Sequence, residues 1–186
     1  MNNYPVDQFS QMSFAQLAPK YVPQASSLPS GDLPTQTGWY YQNGNFTVSS
    51  STIPSGFSSA QDFSAIFVVN GDLIISQDLQ VADSSVLVFV VAGDIDIDKN
   101  VESIKSILVA DGQFDSSYNG NSNRQLVVEG AVWVGEGLDL SRSLGSPNNN
   151  ADPAELFIYK PDILLKSNLA TLFSGAKRFI WRELTR

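Results

Sequence analysis

Four aspartates carry the residue types and spacing best suited to chemistry in this chain. Asp72 and Asp94 each follow a glycine directly, and Asp96 and Asp115 each stand three positions after one. If the segments bearing them stack as neighbouring strands do, about 4.8 Å apart, then Asp72 lies over Asp94 and Asp96 over Asp115. Carboxylates about 5 Å apart repel by roughly 1 kcal/mol in a water-like dielectric and by about 3 kcal/mol at an effective value of 20. A bound cation converts that repulsion into affinity, and calcium, with its flexible oxygen shell, is the fitting ion. The competing expectation is that the side chains splay apart while Lys99 or Lys105 supplies compensation. Aromatic residues form a second candidate set. Trp39, Tyr40 and Tyr41 open the patterned region and Trp133 falls at an outward position; exposed aromatics stack on sugar rings or anchor protein partners. Their bland alternative is structural, with the first three capping the end of a core and Trp133 lying under an arm or helix.

Much other chemistry is excluded. The 186 residues include no histidine and no cysteine, which removes the Ser-His-Asp triad, imidazole bases, thiolates and His-ligated metals. No residue is assigned a catalytic role. Hydrolysis by two carboxylates needs no histidine and stays chemically open. Each glycine of the pattern is solitary, so no loop cradles a phosphate. The net charge is −8, with five basic and seventeen acidic residues over 1–159 against six and two over 160–186. A body of that sign repels phosphate backbones, so no nucleic-acid partner is expected. Lys177, Arg178, Arg182 and Arg186 form either a small basic patch or a solvated element facing an acidic neighbour. No signal peptide is expected from the first thirty residues, and the longest purely apolar run, Val86 to Ala92, is too short for membrane insertion.

The elements that must position these residues follow from a repeat. Gly44, Gly71, Gly93, Gly112 and Gly130 each follow a bulky residue by three positions and precede alternating apolar residues, at separations of 27, 22, 19 and 18 residues. Such periods mark a solenoid, whose coils cannot bury their apolar faces alone. Abundant β-branched residues favour strands over leucine-rich repeats. The fold expected is all-β: a single-stranded right-handed parallel β-helix of about five to seven coils, with a C-terminal amphipathic helix. Alternation sends Phe46, Val48, Leu73, Ile75, Ile95, Ile97, Phe114, Val132 and Val134 inward. The outward columns then read Asn45, Asp72, Asp94, Gln113, Ala131 and Thr47, Ile74, Asp96, Asp115, Trp133. A corner glycine answers to positive φ or to close backbone approach. The runs Ala65 to Val69, Val86 to Ala92, Ile107 to Ala110, Leu126 to Val128 and Leu156 to Ile158 are apolar at both parities, so both their faces need cover, from the C-terminal segment or a second copy. Residues 1–37 read as a proline-rich arm or linker with a short helix around Phe9, Met12, Phe14 and Leu17, 38–160 as the β-helix, and 161–186 as a capping helix and basic tail.

The coils Phe67-Val-Val-Asn-Gly-Asp-Leu-Ile-Ile and Val88-Phe-Val-Val-Ala-Gly-Asp-Ile-Asp-Ile, with the ending Phe157-Ile-Tyr-Lys-Pro-Asp and the late Trp181-Arg-Glu, resemble an uncharacterised β-helix domain of large bacterial surface proteins from small-genome lineages. The resemblance spans roughly residues 38 to 186 and implies a right-handed β-helix in an extracellular or cell-surface setting, with no catalytic assignment. A weaker likeness is to bactofilins, whose glycine-punctuated β-helices polymerise end to end. Two functions are therefore expected in competition. One is a non-catalytic structural or adhesive β-helix that associates with itself or with other surface proteins. The other is a glycan-binding or glycan-cleaving domain on the pectin-lyase-like scaffold, with calcium as its possible cofactor.

Overall fold

Runs apolar at both parities before each corner, and alternating residues after it, build two kinds of strand. The computed structural model describes residues 13–27, 31–60, 62–146, 148 and 151–160. The expected C-terminal amphipathic helix, and Phe9 and Met12 of the expected N-terminal one, lie outside them. One sheet stacks β1 (Ser26–Ser27), β2 (Gly38–Asn43), β4 (Ser64–Asn70), β6 (Val86–Val91), β8 (Ser103–Ala110), β10 (Leu126–Val134) and β12 (Glu155–Tyr159) in that order. The other stacks β3 (Phe46–Val48), β5 (Leu73–Ile75), β7 (Ile95–Asp98), β9 (Gln113–Tyr118) and β11 (Gly137–Asp139). Every pairing in both is parallel. The protein is an all-β parallel solenoid. Its strands alternate between the sheets to give five two-strand coils, with β12 opening a sixth.

The shaft between the sheets holds the residues that alternation sent inward. Phe46, Leu73, Ile95 and Phe114 from one wall meet Phe67, Phe89 and Leu108 from the other in a single buried cluster. The Phe46 and Phe67 rings lie 4.8 Å apart and the Phe67 and Phe89 rings 5.7 Å apart. Burying each such side chain contributes about 1.5–3 kcal/mol relative to exposure. A lone coil could bury few of them, so stacking and folding are one event.

The outer face of the first sheet is apolar too, through Ile66, Val68, Val86, Val88, Val90, Ile107 and Val109. Leu17 and Ala18 of α1 (Phe14–Tyr21) join that cluster, so the N-terminal arm supplies cover that the sequence suggested would come from the C-terminal segment or a second copy. The helix is pinned at its start, where backbone donors lack intrahelical partners. The Asp111 carboxylate accepts from the Phe14 N–H at 2.7 Å and the Ala15 N–H at 3.1 Å, and the Ser13 hydroxyl accepts from Gln16. The arm then adds β1 to the edge of β2.

The two ends of the stack differ. At the N-terminal end Leu33, Phe57 and Phe63 are buried against the shaft, with the two phenylalanine rings 5.8 Å apart. At the C-terminal end Leu138 is 53 % exposed, Leu140 45 % and Tyr159 61 %. Leu156 and Phe157, expected to be covered on both faces, are exposed as well, because β12 is the last described strand of its sheet and no further described strand lies over it.

Candidate functional site

The four candidate aspartates lie at and just past one corner of the solenoid, where the first sheet hands over to the second. Register fixes what stacks there. Asn43 pairs Asn70, and Phe46, Leu73, Ile95, Phe114 and Leu138 succeed one another across the second sheet. Gly44, Gly71, Gly93 and Gly112 therefore stand in one file. The fifth member is Glu136, between Gly135 and Gly137; Gly130 is not in the file. It pairs with Ser106 in mid-strand, where a Cβ would meet the Ser106 carbonyl oxygen at 2.0 Å and φ is +142°. The outward columns are corrected with it: Gly137 replaces Ala131, and Asp139 replaces Trp133.

The corner side chains form a ladder along the stack. Asn45 Oδ1 accepts from the Asp72 N–H at 2.9 Å, Asp72 Oδ1 from the Asp94 N–H at 3.1 Å, and Asp94 Oδ1 from the Gln113 N–H at 2.7 Å. Asn45 Nδ2 also donates to Asp72 Oδ2 at 3.1 Å. Each rung needs the preceding glycine, since a Cβ at Gly71, Gly93 or Gly112 would come within 2.0–2.5 Å of the side-chain oxygen from the coil before. Close approach, not positive φ, selects glycine at these three places. Asp72 and Asp94 therefore do stack as the spacing implied, and their carboxylates are engaged with backbone donors.

Asp96, Asp115 and Asp139 make a second file two residues further on. Burial, followed by the charges of Asp115, Asp94 and Asp72, pushes the Asp96 carboxyl up to about 6. Asp115 accepts from the Ser117 N–H at 2.7 Å. Among the described residues no group of three or more acidic, histidine or cysteine side chains is arranged to hold a metal ion. Lys105, one of the two lysines expected to compensate the carboxylates, pairs with Asp83 instead.

The aromatic trio is divided by the pleat of β2. Tyr40 packs against the shaft, with its hydroxyl donating to the Gln36 carbonyl at 3.1 Å, whereas Trp39 and Tyr41 join the outer cluster. Burial pushes the Tyr40 phenol up. Trp133 does face outward, packed against the same outer cluster, and lines a shallow groove of about 350 Å³ with Val132, Leu138, Leu140, Phe157 and Tyr159.

Nothing in the sequence marks Arg142 as a structural centre, yet it is one. Only 6 % exposed, it donates to the carbonyls of Ser116 (2.6 Å), Val101 (2.6 Å), Asp98 (3.0 Å) and Arg124 (3.4 Å). Its own N–H and the Ser116 hydroxyl share Glu155 Oε1, each at 2.8 Å. Burial holds its guanidinium below the usual arginine range, against the nearby carboxylates led by Glu155. One side chain thereby gathers turns from consecutive coils. A lone arginine in an Asn- and Ser-rich loop carries no periodic signal that could have revealed this.

Comparison of the chain with protein-family models, with curated proteins and with solved structures finds no match.

Proposed function

We propose that this protein is a non-catalytic structural or adhesive solenoid, which associates with copies of itself or with other surface proteins in a cell-surface or self-assembled setting. One observation carries the reading: two of the four candidate aspartates, Asp72 and Asp94, are engaged in holding the stack together. Asn45, Asp72 and Asp94 bond to successive coils, Asp111 holds a helix and Arg142 holds four carbonyls. Such groups build a rigid surface and leave its flanks for partners. The acidic body and basic final segment supply complementary charge for a head-to-tail contact, which extends into a filament where the rotation does not close. Light scattering across ionic strength tests it. Oligomers that dissolve as salt rises are expected, because exposed charge pairs are screened beyond about 8–10 Å at physiological salt; a monomer at every salt and protein concentration refutes the reading.

The file of Asp96, Asp115 and Asp139 favours a second reading, a glycan-binding face that uses calcium to offset its charge. A ligand bound only by the folded state raises the melting temperature. A monomer stabilised by calcium or by an acidic glycan would support this function in place of the first.

A further inference from the structure

The outer side of the first sheet is closed by a segment with few attachments. Ile66 and Val68 of β4, Val88 and Val90 of β6, and Ile107 and Val109 of β8 lie outward, yet none is more than 2 % exposed. Among the described residues outside the coils, only Phe14, Leu17, Ala18 and Val22 of the N-terminal arm pack on them. Helix α1 has eight residues, and Pro19 inside it cannot donate to the Ala15 carbonyl. Helices shorter than about 12–15 residues are marginal in water by themselves, so α1 depends on its seat. It is held there by the Asp111 carboxylate at its first turn, and the arm then adds two exposed residues, β1, to the edge of β2. The seat is also underfilled: a groove of about 350 Å³ lies between the arm, at Phe14, Ala18, Pro19 and Val22, and the sheet, at Tyr41 and Asn70.

We propose that the arm is a releasable strap, and that the sheet face beneath it, once bared, pairs with the same face of a second copy. Lifting the arm leaves the shaft whole, because Phe46, Phe67, Leu73, Phe89 and Ile95 belong to a separate cluster. A short segment with few buried contacts opens at far lower free energy than the fold as a whole. What it bares is a contiguous patch of β-branched side chains, the kind of surface that marks an interaction site. Charge selects the occupant. The chain carries a net −8, which opposes the approach of two copies, and the outer side of the second sheet bears Asp96, Asp115 and Asp139. The outward positions of β4, β6 and β8 hold no acidic residue, so two copies meet there without facing carboxylates. A face paired with itself is the isologous, closed arrangement of a two-fold dimer. This pairing does not rest on the head-to-tail contact proposed above and responds differently to salt, which screens a contact between charges and leaves an apolar one in place.

Leu17→Asp sets a carboxylate against the apolar sheet and so lifts the strap in the full chain. Sedimentation of that variant at several protein concentrations, in low and in high salt, is expected to show a discrete dimer. It should form at about tenfold lower concentration than any dimer of the native chain, and equally in both salts. Adding Val88→Asp should return the variant to a monomer. A Leu17→Asp chain that stays monomeric with its β-sheet circular dichroism intact overturns the proposal, as do particles of indefinite size or a dimer that Val88→Asp leaves in place. Oligomers that salt disperses overturn it while supporting the head-to-tail contact; a salt-indifferent dimer beside a native chain that is monomeric throughout supports it and refutes that contact. Where Leu17→Asp loses its sheet signal, Asp111→Ala takes its place with the same outcomes. Hydrogen exchange on the native chain tests the strap itself: the amides of α1 should exchange about a hundredfold or more faster than those of β6, and equal protection of the two overturns the proposal.

Discussion

Replacing Gly93 by alanine exposes how the corner ladder works, because the substitution and its cure are both visible. A Cβ at Gly93 would stand 2.0 Å from Asp72 Oδ1 and 3.1 Å from the Gly71 carbonyl oxygen. The first contact is impossible and its partner is the movable end of a side chain. Turning Asp72 aside breaks its bonds from the Asp94 N–H and from Asn45, both 3.1 Å. Net contributions of about 0.5–1.5 kcal/mol per bond put the loss at about 1–3 kcal/mol. Asp72→Ala removes the same two bonds and costs about as much. The double variant loses them once, keeps only the mild contact with Gly71, and gains about 0.4–1 kcal/mol because alanine restricts the unfolded chain. Gly93→Ala and Asp72→Ala should therefore couple by about 1–3 kcal/mol, with the pair no worse than either alone. Urea unfolding followed by tryptophan fluorescence measures all four corners of the cycle. Costs that add within about 0.5 kcal/mol would refute the ladder as the reason for glycine here. Gly112→Ala is the contrast: its Cβ would also meet the Gly93 carbonyl oxygen and carbon at 2.8 and 2.9 Å, so Asp94→Ala should rescue it incompletely.

Two further outcomes follow from buried and crowded charge. Arg142→Ala strands carbonyls of four residues and opens a void, and should lower stability by about 3 kcal/mol or more; Arg142→Lys, with one nitrogen for several acceptors, should recover little of it in the same urea titration. Asp96 titrates in the folded protein near 6 instead of the ordinary 3.8, so the fold favours its protonated form. Its stabilising contribution is complete below about pH 4 and is lost as pH rises through about 6. The melting temperature of the native chain relative to Asp96→Asn should decline across that window, and parallel curves would show that Asp96 is not crowded.

Three of the five corners, Gly44-Asn45, Gly71-Asp72 and Gly93-Asp94, are legible because the Gly-Asx pair and the alternation after it arise from one geometry, a side chain reaching over to the next coil's backbone; the fourth, Gly112-Gln113, is legible from its glycine and the alternation alone. The fifth is misplaced because Gly130 satisfies the pattern while the true corner, Gly135-Glu136-Gly137, has no Asx after its first glycine. The error is six residues, an even number, which is why Val132 and Val134 still face the shaft and Trp133 still faces out. Tyr40 is separated from its neighbours by the same parity rule that places the isoleucines, once β2 is known to be a strand. The cover on the outer sheet is harder to foresee. Helix α1 contains Pro19 and overlaps the short helix expected around Phe14 and Leu17, but what fixes its place is Asp111, 97 residues away from Phe14. Local sequence holds no trace of so distant a partner.

The Asn45, Asp72, Asp94 ladder joins each coil only to the next, so a pull along the stack meets its rungs in series. They would open singly from an end, like teeth of a zip. Each release would free the 27, 22 or 19 residues between successive corner glycines, or about 65–95 Å of slack at full extension. A molecule anchored at one end and tugged at the other would thus yield by stages and keep most of its windings, absorbing a jolt without coming apart at once.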